Sequence, residues 1–427
     1  MDTKRLETIG NKKLTRRDAL KLAGVGGLGL LVGAGGMGAL MQPKPSAANL
    51  AGSAESNSAD GIVPFYGKHQ AGIITPMQDF ICMGAFDLTA TSLDDVRKLF
   101  QSWTEASARL TAGKSVGDES GHSLLPPVDT GESMGLGAMR MTITFGLGPS
   151  FFDERFGLAS KRPAPLVDLP HFNSDDIRKE WTGGDVVVQV CANDPQVAFH
   201  ALRNLARIGR GKAVLRWVQD GFQRTSAADP KGSTPRNLLG FKDGTANPNV
   251  SDEKTADEIV WAQSSDDPAW MAGGSYMVMR RIRMRIEVWD RSTLADQEST
   301  FGRHRESGAP LGKTDEFDDL ELDRKDSKGK PVIPATSHVA LAHMDGKVKI
   351  LRRGYSYSSG MDLKTGQLDA GLLFVCFNRD PRKQFIPMQQ KLAAADQLNE
   401  YISHVGSGIF ACLPGASEGG YIGDTLF

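Results

Sequence analysis

The chain has 427 residues, with 50 Lys and Arg against 51 Asp and Glu. That length suits two or three domains with ample core, and 40% hydrophobic with 24% charged residues is an ordinary globular composition. Near-neutral charge argues against a nucleic-acid binder, which carries a basic stripe. Four cysteines are too few for a disulfide scaffold.

Charge is uneven along the chain. Residues 1–48 hold Lys4, Arg5, Lys12, Lys13, Arg16, Arg17, Lys21 and Lys44 against Asp2, Glu7 and Asp18, a net of +5, which leaves the remainder at −6. Arg16-Arg17 precedes an uncharged, Gly-dense run from Leu22 to Gln42, and Pro43 to Ala48 supplies small residues for cleavage. Residues 1–48 thus resemble a twin-arginine signal peptide, which exports folded, cofactor-loaded protein. Glycine makes the run a poor spanning helix. A polar, flexible mature N-terminus is expected at 49–61.

Downstream, Asp79 to Leu88 reads as a buried strand, and Ser92 with Asp95 opens a helix whose apolar face includes Val96, Phe100, Trp103 and Leu110. Met141 to Phe145 and Asp185 to Cys191 read as strands. Asp194-Pro195 starts a second helix, and Ala213 to Val218 closes the unit. Strand, helix, strand, strand, helix, strand is a split βαβ order, assigned to 62–224. After a polar linker at 225–235 the order recurs loosely through 225–427. Strands are expected at 275–288, 350–356, 371–377 and 408–412, and helices at 293–300 and 396–404. Insertions at 112–139, 157–183 and 303–337 exceed ordinary loop lengths and should cover a site or a partner surface.

Several chemistries are absent. The eight His form no H-E-x-x-H pair, and there is no G-x-S-x-G elbow and no C-x-x-C. The remaining candidates are single residues. Gly240-Phe241-Lys242-Asp243-Gly244-Thr245 holds one carboxylate between glycines, which is either a surface Asp-Gly turn or an acid-base group facing a cavity. His338, in Thr336-Ser337-His338-Val339-Ala340-Leu341, is either a satisfied core residue or an axial haem ligand. Arg352 and Arg353 lie in a strand-like run that sends them to opposite faces, and one pointing inward needs an anion or a carboxylate. His69 reads as a surface-loop residue.

These segments together resemble the dye-decolourising peroxidases, in their exported EfeB-like branch. Phe301-Gly302-Arg303, Gly308-Ala-Pro-Leu-Gly312, Gln367 to Phe374 and Pro64 to Gly72 extend the resemblance from about residue 62 to the end. It implies an α+β fold of two tandem ferredoxin-like modules with antiparallel sheets, and one haem b in the C-terminal module. It implies His338 as the iron ligand, with Asp369 accepting its Nδ1 proton. Asp243 would be the acid-base group and Arg352 the cation beside it. Arg303 would face a haem propionate, and Lys242, Gly244 and Thr245 would line the cofactor. The expected activity is reduction of hydrogen peroxide with an organic or metal reductant, linked to iron uptake and its partner proteins. The alternatives are a deferrochelatase, which frees iron from haem and leaves the porphyrin intact, and a non-catalytic haem or iron carrier. A homo-oligomer is compatible with all three.

Overall fold

The computed structural model describes residues 61–427 apart from 120, 174, 267 and 364. The expected signal peptide, and 49–60 of the expected flexible stretch, lie outside the described residues. Strand β1 (Phe80–Leu88) alternates with period two. Ile81, Met83 and Ala85 enter one core, while Cys82, Phe86 and Leu88 enter another, as a strand covered on both faces requires. Ser92 caps α1 (Leu93–Thr111) by accepting from the Asp95 amide at 3.1 Å. β2 (Thr142–Leu147) and β3 (Val186–Ala192) follow. Asp194 starts α2 (Pro195–Ile208) by accepting from the Val197 amide at 2.9 Å, with Pro195 in the first turn, where its missing N–H costs nothing. β4 (Ala213–Phe222) completes an antiparallel sheet of order β4-β1-β3-β2.

The second half is built the same way. It contains α3 (Glu253–Ile259), β5 (Ser275–Met284), α4 (Ile286–Trp289), α5 (Leu294–Phe301), α6 (His338–Ala342), β6 (Leu351–Arg352), β7 (Tyr355–Asp362), β8 (Gln367–Asn378), α7 (Phe385–Ala395) and β9 (Ile402–Cys412). The order β9-β5-β8-β7 repeats that of the first half, with β6 added on β8. The sequence-expected α+β fold with two ferredoxin-like antiparallel sheets is therefore observed.

The two sheets close on each other. β2 pairs with β9 at Gly146–Cys412 and Leu147–Ala411, and β4 pairs with β7 at Phe222–Ser356. With the β5–β8 pairing, eight strands form a ring. Its interior is filled by Met83, Val187, Met277, Met279, Val375 and Phe410, all essentially inaccessible, as expected when eight strands leave room only for side chains. The opposite strand faces pack under α1, α2 and α7. The four cysteines are buried and unpaired. No helix among the described residues is long and apolar enough to cross a membrane.

Two expectations are corrected. The strand expected to reach Val288 ends at Met284 and turns into α4. The helix expected at 396–404 is a short 3-10 turn at Gln397–Glu400 followed directly by β9. The true helix is α7, just upstream, which carries Pro387 in its first turn, where proline is tolerated. The three long insertions are irregular, as expected: their described residues form only short 3-10 turns and isolated bridges such as Thr182–Ser407.

Candidate functional site

Pairing register sets the direction of the two arginines. Leu351 lies opposite Phe377, which faces the ring interior, and Arg352 lies opposite Cys376, which faces outward. Arg352 therefore shares the outer face of β8 with Leu372 and Phe374, and a cavity of about 910 Å³ opens there, lined also by Asp243, Gly244 and Asn247. Arg353 turns the other way and is 2% exposed. It binds no carboxylate, as an inward arginine was expected to do, but the Thr75 carbonyl and the Gln78 side-chain oxygen.

The segment bearing Asp243 is fixed from behind. Phe241 stacks on Phe301 at 4.1 Å, beside Trp289, whose indole N–H donates to the Leu239 carbonyl at 3.0 Å. Gly240 and Gly244 flank the bend at φ of 85° and 134°, which side chains resist. The Asp243 amide donates to the Pro235 carbonyl at 2.8 Å. Its carboxylate meets Arg352 Nη1 at 2.5 Å. Asn247 holds the Arg352 peptide at both ends, donating to its carbonyl at 2.8 Å and accepting from its amide at 2.9 Å.

His338 opens α6. Its Nδ1 pairs with Asp396 Oδ2 at 2.6 Å. The carboxylate is 2% exposed, yet the imidazole keeps 35%, and its Nε2 bonds to no described protein group. Burial disfavours a charged ring, but Asp396 outweighs it and raises the His338 pKa. Asp243 raises it further and Arg352 lowers it. Gly302 permits the approach of α5, since a Cβ there would lie 2.6 Å from Val339 and 2.8 Å from Ser337 Oγ.

This overturns one expected pairing. Asp369 does not receive the His338 proton; it accepts from Arg281 at 2.9 Å, and the Tyr357 hydroxyl stands 3.5 Å away. Its position on β8 faces the other end of the ring, where the Arg281 guanidinium lies between Trp181 and Tyr357. Lys242 and Thr245, expected to line the cofactor, are spent on Glu316 instead, Thr245 at 2.9 Å. Arg303 Nη1 donates to the carbonyls of Gly308 at 2.7 Å and Glu316 at 3.0 Å. Sequence reasoning missed Asp396, Glu316 and the role of Asn247. His69 is half-buried rather than freely exposed, stacking on Trp261 at 3.9 Å.

The chemistry of these residues suits haem. A neutral imidazole with Nδ1 tied to a carboxylate and Nε2 free is the form that ligates iron. Leu372 and Phe374 offer an apolar wall, and Arg303 keeps a guanidinium nitrogen for a carboxylate.

The comparisons agree with this fold. The N-terminal Dyp-type peroxidase model matches residues 70–223, and the C-terminal one matches 234–417. The chain belongs to the Dyp-type peroxidase family, whose members are haem-dependent peroxidases. The deferrochelatase of Escherichia coli strain K12 is 42% identical over 371 residues, 85% of this chain and 86% of that one. That of Yersinia pseudotuberculosis is 41% identical over 372 residues, 85% and 84% of the two chains. Among solved structures, a DyP-type peroxidase from Streptomyces coelicolor superposes with a TM-score of 0.81 at 39% identity, covering 87% of this chain and 99% of that one. The oxyferrous complex of DtpA from Streptomyces lividans gives 0.80 at 39% identity, covering 87% and 100%.

Proposed function

We propose that this peroxidase works from its C-terminal half, with one haem b held by His338 and with Asp243 and Arg352 as its catalytic residues. The observation that carries this is the Asp243–Arg352 pair on the wall of a cavity, with Phe301 packed between Phe241 of the Asp243 loop and the His338 ring. Asp396 would keep the His338 ring oriented and electron-rich, and Arg303 would face a propionate. Bound there, the iron supplies the redox centre for splitting the peroxide O–O bond.

The protein's own part is proton transfer and charge. Asp243 takes a proton from one peroxide oxygen at its carboxylate and returns it to the other, which leaves as water. The Arg352 guanidinium offsets negative charge on the departing oxygen. Asn247 fixes the Arg352 backbone, so the cation is in position before peroxide arrives. The absorption spectrum of haem-loaded protein before and after peroxide tests this assignment. His338→Ala is expected to lose most of its haem, while exposed His171→Ala retains it. A normal Soret band and iron content in His338→Ala would remove His338 as the ligand.

The names of the deferrochelatase relatives support a second reading, release of iron from haem in the same cavity. Extraction of porphyrins after incubation with haem separates the two, because only this reading gives intact metal-free porphyrin. A haem carrier would not need Asp243 and Arg352 together. The proposal includes export by the twin-arginine route and contact with iron-uptake proteins. Replacing Arg16 and Arg17 with Lys should leave uncleaved, haem-loaded precursor in the cytoplasm, and processing at the normal rate would exclude that route.

A further inference from the structure

The insertion at 112–139 carries an apolar patch that its own fold does not bury. Leu124 is 86% exposed, Met134 69% and Leu125 56%, and Val128 and Leu136 are exposed as well. Phe199 of α2, also exposed, lies one turn from Gln196 and Arg203. Gln196 donates to the Glu132 carbonyl, and Arg203 meets the Glu132 carboxylate at 3.3 Å, so this face of α2 borders the insertion. The segment is fastened in place. Arg207 donates to the carbonyls of Pro127 and Val128, the latter at 3.0 Å. Asp129 accepts from the amides of Val116 at 3.0 Å and Gly131 at 2.7 Å. A loop already held loses little conformational freedom on docking. A clustered apolar surface of this kind marks a protein or membrane contact.

Two features favour lipid. The first is the backbone of the tip. The Leu124 amide donates to His122 Nδ1 at 3.3 Å and the Leu125 amide to the His122 carbonyl at 3.0 Å. Pro126 and Pro127 have no N–H. The amides of Val128 and Asp129 donate to the Glu119 carboxylate at 3.2 and 3.3 Å. Every backbone donor from Leu124 to Asp129 is thus satisfied or absent, which is the condition for entering an apolar phase. The second feature is charge. Asp118 is paired with Arg109 at 2.7 Å, and Glu119, Asp129 and Glu132 hold the partners just described. Beside them, Pro195 to Lys212 carries Arg203, Arg207, Arg210 and Lys212 and no acid. Cations beside an apolar tip suit an anionic lipid surface.

We propose that this insertion docks the protein on an anionic lipid surface, with Leu124 and Leu125 entering the boundary between headgroups and acyl chains. The proposal goes beyond the peroxidase reading and does not depend on it. The test sediments haem-loaded protein with vesicles of phosphatidylcholine, alone or mixed with phosphatidylglycerol. The parent should bind the mixed vesicles more tightly, and added salt should weaken that binding. Replacing both leucines, Leu124→Asp with Leu125→Asp, should weaken it at least about tenfold, a fraction of what full burial of two leucines is worth. Peroxide turnover should be unchanged in that variant, because both side chains are exposed and remote in sequence from the Asp243–Arg352 pair. Both proteins carry the same residues 1–60, so the difference between them belongs to the insertion. Leu124→Trp, which suits the lipid boundary, should bind at least as tightly as the parent. Equal binding of the parent and the double Asp variant would overturn the proposal, as would equal binding of the parent to both kinds of vesicle. So would a parent that self-associates without lipid while the double Asp variant stays monomeric, which would make a second copy the occupant of the patch.

Discussion

At the scale of single residues, Asp243 and Arg352 are one ion pair with two tasks. Losing a positioned acid-base group removes ~10²–10⁴-fold in rate, and losing one preorganised cation removes about 10²–10³-fold. The ranges overlap, so the pH profile distinguishes the roles. In stopped-flow mixing with peroxide, Asp243→Asn should abolish the acid limb of the Soret change, while Arg352→Leu should slow it and keep a titrating group. An unchanged profile in Arg352→Leu would remove that residue from the mechanism. Asp243, His338 and Arg352 were legible because each sits in a short segment with a recognisable neighbourhood. Asp396 was not, since it lies 58 residues from His338 and ends a run of alanines. Glu316 was hidden in the same way, an acid in an irregular insertion whose partners Lys242 and Thr245 are 74 and 71 residues away.

At the scale of elements, Glu316 joins three segments. Its carboxylate holds Lys242 and Thr245 on the Asp243 loop, and its carbonyl accepts from Arg303. Burial opposes its ionisation, but hydrogen bonds from Lys242 and Thr245 and the Lys242 charge outweigh this and lower its pKa. A carboxylate lowered in the folded state stabilises fully above its unfolded value, ~4.3, and loses that contribution as pH falls through the folded value. Glu316→Gln, which leaves Lys242 without its charge partner, should therefore cost about 3 kcal/mol at neutral pH. The difference in Tm from the parent should shrink below about pH 4. A difference that is constant with pH would show that the charge is not what matters. Helices α1 and α2 were legible from their Ser92 and Asp194 caps, which act within a few residues. Helix α7 was not, because Pro387 masks its first turn and the cap-like Asp396 that follows belongs to a 3-10 turn.

At the scale of the molecule, the ring depends on close contact at its seams. Gly146 pairs with Cys412 across the β2–β9 seam, and a Cβ there would lie 2.9 Å from Phe410 Cβ, 3.1 Å from Val187 Cγ1 and 3.2 Å from Cys412 Sγ. Gly146→Ala should destabilise by about 1–3 kcal/mol through overpacking. Thermal unfolding of the haem-free variant measures this, and an unchanged Tm would mean that the seam can yield. The succession of strands and helices was readable from apolar runs in the first half and only loosely in the second. Closure was not, because the seam pairings join residues whose partners lie in the other half of the chain.

The ring also imposes an order of events during synthesis. β9 lies between β5 and β2 and follows both of them in the chain. It therefore leaves the ribosome after both of its partners. Until then β5 and β2 each present an open edge, the kind of surface that invites pairing with other chains. A nascent or truncated chain lacking β9 is thus recognisably unfinished to a chaperone, and the finished chain hides both edges in a single pairing event.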